Sequence, residues 1–214
     1  MNPTPLLHSS LSQALDAGAV YPLSWLPRHL PAQTQGRVRY LMDASHCSLP
    51  LYFSLKGKHG YALDNAAPFI AAVQAQVANV ATGFDLVAYP ESRFPFLRMV
   101  TGGIAHAVEI KKRGKADICA RAMAGRKWSK LERRSQERAW AEMGDAFTIN
   151  LIKSNQRRHY VPHLFENVEV VPGARVLLLD DFIMSGMTLQ ALAAALGRQD
   201  CDAFGVFFQR GADA

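Results

Sequence analysis

The stretch Val176-Leu177-Leu178-Leu179-Asp180-Asp181-Phe182-Ile183-Met184-Ser185-Gly186-Met187-Thr188-Leu189 decides how this chain folds. Four apolar residues in succession, with no polar face, fit a strand covered on both sides. Such a strand delivers two adjacent carboxylates, Asp180 and Asp181, to the edge of a sheet. In the short loop that follows, Gly186 lets the backbone approach a ligand closely. The loop amides and the start of the next helix form a pocket for a phosphate dianion, and Ser185 and Thr188 add hydroxyl donors to it. A ligand with a phosphate at one end and a diol at the other suits this arrangement, because the diol donates to the carboxylates. A ribose 5-phosphate has that shape.

Working outward, Thr188 to Leu196 reads as a helix of strong formers, with Gly197 just past its C-terminus. Pro172-Gly173 makes the turn before the strand, and Ala203 to Phe208 supplies a final buried strand. Upstream, Phe84 to Ala88 is another short apolar run, stopping at Tyr89-Pro90. Ala66 to Val80 places Ile70, Val73, Val77 and Val80 at helical spacing. Strands are also expected over Arg37 to Met42, Leu49 to Leu55 and Ala146 to Leu151, and a helix over Gly103 to Ile110. Lys153 to Asn167 is polar and basic, and reads as a solvated loop. Buried strands alternating with helices predict an α/β fold with a mostly parallel sheet and flanking helices. The division expected is an N-terminal arm or hood over residues 1–48 and an α/β body over 49–214. In such sheets ligands bind beyond the carboxyl ends of the strands, here after Ala88 and after Leu179.

Residues 176–188 resemble the type I phosphoribosyltransferases, which carry four apolar residues, an acidic pair, two apolar residues and a small-residue turn ending in Gly-x-Thr. The resemblance implies their fold, and a protein that binds 5-phosphoribosyl-1-pyrophosphate with Mg²⁺ and passes ribose 5-phosphate to an acceptor. It puts Asp180 and Asp181 on the ribose hydroxyls, and Met184, Ser185, Gly186, Met187 and Thr188 around the 5-phosphate. The metal would ride on the donor, with no site of protein side chains alone. Met184 stands where the 6-oxopurine enzymes have a catalytic aspartate, and methionine cannot accept a proton. Salvage of hypoxanthine or guanine by that route is therefore not expected. Receiver domains and haloacid dehalogenase-like phosphatases fit worse: receivers carry their acidic pair near the N-terminus, and the chain's Asp-x-Asp, Asp200-Cys201-Asp202, precedes an apolar run instead of ending one.

A looser likeness, over about residues 49 to 210, is to the competence protein ComF subgroup without its four-cysteine zinc module. Ser54-Leu55-Lys56 resembles a stretch of that subgroup. By the same likeness the loop Tyr89-Pro90-Glu91-Ser92-Arg93 would bind pyrophosphate through Ser92 and Arg93; a surface loop with an incidental arginine is the alternative. Residues Arg126 to Arg138 resemble the subgroup's mobile Gln/Arg-rich loop, which would set Lys127, Lys130 and Arg133 beside the leaving pyrophosphate. A charged helix face fits those residues equally. ComF relatives are associated with DNA uptake, so a non-catalytic ligand-sensing or nucleic-acid-associated module is the second reading of the chain.

Composition is compatible with both. The 214 residues are 49% hydrophobic and carry a formal charge of +6, which favours anionic partners, phosphorylated metabolites or nucleic acid. The three cysteines, Cys47, Cys119 and Cys201, form no CxxC pair and read as reduced. His8, His29, His46, His59 and His106 show no metal-ligand spacing. No leader-like or membrane-spanning run is evident, so a cytoplasmic protein without a membrane partner is expected. The acceptor is not legible, and a homodimer remains open.

Overall fold

The computed structural model describes residues 20–22, 37–43, 55 and 66–208. Its centre is a six-stranded sheet of β1 (Val20–Pro22), β2 (Arg37–Asp43), β3 (Leu86–Pro90), β4 (Ala107–Ile110), β5 (Val176–Ile183) and β6 (Asp202–Phe208), in the order β1-β2-β6-β5-β3-β4. The five strands β2 to β6 are mutually parallel, and β1 pairs antiparallel with β2. This is the α/β, mostly parallel architecture expected, and it agrees with a phosphoribosyltransferase type I fold. Arg37–Asp43 is itself a strand of the main sheet, in register with Ala203 to Phe208.

The helices are α1 (Ala67–Ala81), α2 (Phe96–Thr101), α3 (Lys115–Ala124), α4 (Lys130–Glu142), α5 (Ser154–Arg157) and α6 (Met187–Ala195). One face of the sheet is covered by α1 and α2. There Phe69, Val73 and Val77 of α1 and Phe96 and Val100 of α2 pack on Val87, Leu177, Leu179 and Phe204. On the other face Leu189, Leu192 and Ala195 of α6, with Val161 and Phe165, pack on Ala88, Ile110, Val176 and Leu178. A strand buried on both faces needs apolar residues at every position, which is why Val176 to Leu179 shows no alternation. A third cluster joins α3 and α4 to the segment after them through Ile118, Trp128, Met143, Ile152 and Tyr160.

Three local expectations are corrected. Gly103 to Ile110 is not a helix: α2 ends at Thr101, Gly103 takes φ 91°, and Ala107–Ile110 is strand β4. The glycine pair stops the helix, and Val108 and Ile110 extend beside β3. Ala146 to Leu151 is not a strand; only Ile149–Leu151 is regular, as one 3₁₀ turn. Its apolar residues Phe147 and Ile149 pack on the third cluster instead of a sheet neighbour. Residues Lys153 to Asn167 are not a solvated loop, because Gln156, Tyr160, Val161 and Phe165 are buried. Of the two readings of Arg126 to Arg138, the charged helix is the one found, over Lys130–Glu142. Ser129 caps α4 by a reciprocal capping box with Glu132. The strand expected at Leu49 to Leu55 lies outside the described residues apart from Leu55, which is helical and buried. Cys119 and Cys201 are free and buried, and burial pushes the Cys201 thiol up to about 11. Cys47 lies outside the described residues.

Candidate functional site at the carboxyl ends of the strands

Strands β3 and β5 are neighbours, yet the chain leaves them in opposite directions, from β3 toward β4 and from β5 toward β6. Loops that diverge from adjacent parallel strands leave a crevice between them, the usual place for a ligand in such sheets. A cleft of about 870 Å³ occupies that position. It is lined from the β3 side by Ser92 and Arg93, and from the β5 side by Asp180, Asp181 and Thr188. The structure thus brings Ser92 and Arg93 together with Asp180, Asp181 and Thr188.

The acidic pair sits inside β5, not after it. Asp180 is 5% exposed, Asp181 is half-buried, and the Asp181 amide donates to Asp180 Oδ1 at 2.9 Å. Side-chain alternation shifts by one residue across the pair. Leu177, Leu179 and Phe182 face the α1 layer, while Val176, Leu178 and Ile183 face the α6 layer. In an unshifted strand adjacent carboxylates would point to opposite faces; here both line one cleft. Beside β5, Gly205 leaves the room Ile183 needs: a Cβ there would meet the Ile183 side chain at 2.5 Å.

The turn after the strand adopts the conformation its glycine permits. Gly186 has φ 68°, precedes α6, and accepts the Gln190 amide at 2.9 Å. Met184 is 54% exposed, and Met187 packs partly on the α6 core. Met184, Ser185, Gly186 and Met187 form the turn beside the cleft without lining it. On the other loop, Ser92 Oγ accepts the Phe94 amide at 3.2 Å, and Arg93 is exposed. Glu91 accepts the Lys112 amide at 2.9 Å, which holds its carboxyl below the usual range, and Lys111 Nζ approaches it at 3.3 Å. Arg98 reaches the cleft but is paired with Glu109 at 2.7 Å.

Three cleft cations escaped the sequence reading: Lys112, Arg113 and Lys115. Lys115 Nζ donates to the carbonyls of Met143 and Gly144 at 2.9 and 3.0 Å, fixing the loop that begins the far wall. Arg113 bonds Asp117 and Asn167 through its terminal nitrogens. The signal was a cationic run directly after an apolar strand, hidden while that strand was read as helix. The far wall runs from Asp145 to Ile149, with Phe147 stacked 5.4 Å from Tyr160.

Lys127, Lys130 and Arg133 are not brought to this cleft; all three are exposed, the last two on α4. Lys130, Arg134 and Arg138 share one stripe of that helix, turned away from buried Gln136. The other side of the segment is locked in place. Gln136 bonds both Gln156 and the Tyr160 hydroxyl, and the Tyr160 hydroxyl also accepts from Trp140. Arg126 stacks over Trp128 at 4.4 Å and pairs with Glu132 at 2.6 Å. Burial and the neighbouring Arg126 and Arg158 hold His159 below its ordinary value.

Among the described residues no group of three or more His, Cys, Asp or Glu side chains is disposed to hold a metal ion. No described helix is long and apolar enough to cross a membrane. A scan against protein-family models finds no match to the chain, and a search of curated proteins finds none either.

Proposed function

We propose that the chain binds 5-phosphoribosyl-1-pyrophosphate with Mg²⁺ in the carboxyl-end cleft and transfers its ribose 5-phosphate to an acceptor. The observation that carries this reading is the convergence of Asp180, Asp181 and Thr188 with the β3 loop in one crevice of the sheet. The two carboxylates accept hydrogen bonds from the ribose hydroxyls. The turn from Met184 to Thr188, ending at the N-terminus of α6, holds the 5-phosphate with its amides and hydroxyls. Among the described residues, Arg93 and Lys112 are the cleft cations left to meet the pyrophosphate, since Arg98, Arg113 and Lys115 are already bonded.

In the reaction the bond from the anomeric carbon to pyrophosphate breaks as the bond to the acceptor forms, and the leaving group departs with the electron pair. Positive charge develops on the ribose, and the fixed carboxylates of the cleft favour it electrostatically. Mg²⁺, which keeps several waters and prefers phosphate oxygens, would neutralise charge on the pyrophosphate. Asp180 and Asp181 fit that role as acceptors for metal-bound water, without serving as a protein-only site.

A direct test is thermal unfolding with the donor and Mg²⁺. The wild type gains stability, because a ligand that binds only the folded chain shifts the equilibrium. A folded Asp181→Asn chain gains little or none, and an equal gain in both would sink the assignment.

The basic stripe on α4 favours a second reading, a non-catalytic module associated with nucleic acid. Lys130, Arg134 and Arg138 repeat at four-residue intervals on one exposed side of the helix, although Glu137 and Glu142 lie within a turn of them. Salt-sensitive binding of single-stranded DNA without pyrophosphate release would select it.

A further inference from the structure

The opposite end of the sheet carries a second cleft, of about 550 Å³, between the C-terminus of α1 and the amino ends of β5 and β6. Its charged lining is Arg39, Arg175 and Arg198 against Asp200 and Asp202. Two of the arginines are engaged. Arg198 holds both oxygens of Asp200 at 2.7 Å and donates to the Ala174 carbonyl at 3.1 Å. Arg175 faces Asp85, with its amide 2.7 Å and its Nε 3.6 Å from one carboxylate oxygen.

Arg39 differs. Its Nε is buried without an acceptor. Arg113 also has an unmet Nε, but its terminal nitrogens are bonded. The last carbonyls of α1, at the same cleft, are already taken. Asn79 accepts the Thr82 hydroxyl, Val80 the Gly83 amide and Ala81 the Phe84 amide. A buried guanidinium Nε with no acceptor is costly, and such an unmet donor in a native structure calls for a partner that completes it. Its planar fork matches a phosphate or carboxylate.

We propose that this cleft is a second binding site, for an oxyanion group of a small metabolite held by Arg39. The volume suits such a ligand. The site does not depend on the donor reading, since β5 separates Arg175 at one end from Asp180 and Asp181 at the other.

The experiment compares thermal unfolding of the wild type, Arg39→Met and Arg39→Lys, each alone, with inorganic phosphate and with citrate. The carboxyl-end loop is intact in all three, so its own response to phosphate is common to them. In the wild type at least one anion raises Tm about 2–4 °C more than in Arg39→Met. Arg39→Lys retains part of the anion response, and gives the comparison if the methionine variant fails to fold. A larger response to phosphate assigns a phosphorylated ligand, and one to citrate a carboxylated ligand. Equal anion responses in wild type and variants, or no response in the wild type, overturn the proposal.

Discussion

The two walls of the carboxyl-end cleft are built in opposite ways. The β5 wall is one continuous piece of chain, in which strand, acidic pair, glycine turn and helix follow within 20 residues, Val176 to Ala195. The far wall is assembled from parts distant in sequence. Lys115 fixes the carbonyls of Met143 and Gly144, and Phe147 rests on Tyr160, which is itself bonded to Gln136 and Trp140. A locally encoded wall keeps its shape while its own backbone is intact. An assembled wall depends on one buried hub.

That difference can be broken most severely at Tyr160, which is fully buried. Tyr160→Ala removes its ring contacts and leaves Gln136 and Trp140 without their shared partner, a loss of about 3–5 kcal/mol. Amide exchange should rise first in residues 130–165 and last in β5, and uniform loosening would contradict the two-part description. Next comes Gly205→Ala, which drives a methyl into buried Ile183 beside the acidic pair. A destabilisation of about 1–3 kcal/mol is expected by chemical denaturation, with weakened donor binding. The smallest effect is at the cap of α4, where Ser129→Ala should cost about 1 kcal/mol. Hydrogen bonds from Ser129 and pairing with Arg126 lower the Glu132 pKa from its ordinary 4.5 to about 2. A depressed carboxyl stabilises the fold above its ordinary value, and loses that contribution as pH falls from about 4.5 toward 2. Glu132→Gln should remove this part of the acid dependence of helix content, and an unchanged acid profile would speak against the capping box.

The same contrast explains what could be read before the fold was known. Val176 to Leu189 was legible because strand burial, turn chemistry and helix start are all local properties, and α1 and β6 were legible by periodicity. The shift of side-chain alternation at Asp180–Asp181 was not, since it depends on packing against β6. Lys112, Arg113 and Lys115 were hidden because the short strand β4 has few residues to declare itself. Tyr160 and Phe165 sit at no regular spacing, so a stretch that anchors the far wall looked like a polar loop. The charged segment 126–138 contained its helix signal in Ser129 and Glu132, which the density of charge obscured.

The central claim is that Asp180 and Asp181 form the donor site. It is tested most directly by calorimetric titration with 5-phosphoribosyl-1-pyrophosphate and Mg²⁺, comparing the wild type with the Asp180→Asn/Asp181→Asn chain. Saturable binding by the wild type, at least tenfold weaker or absent in the folded double variant, is the predicted result. No binding by well-folded wild type, or equal binding by both chains, would contradict it.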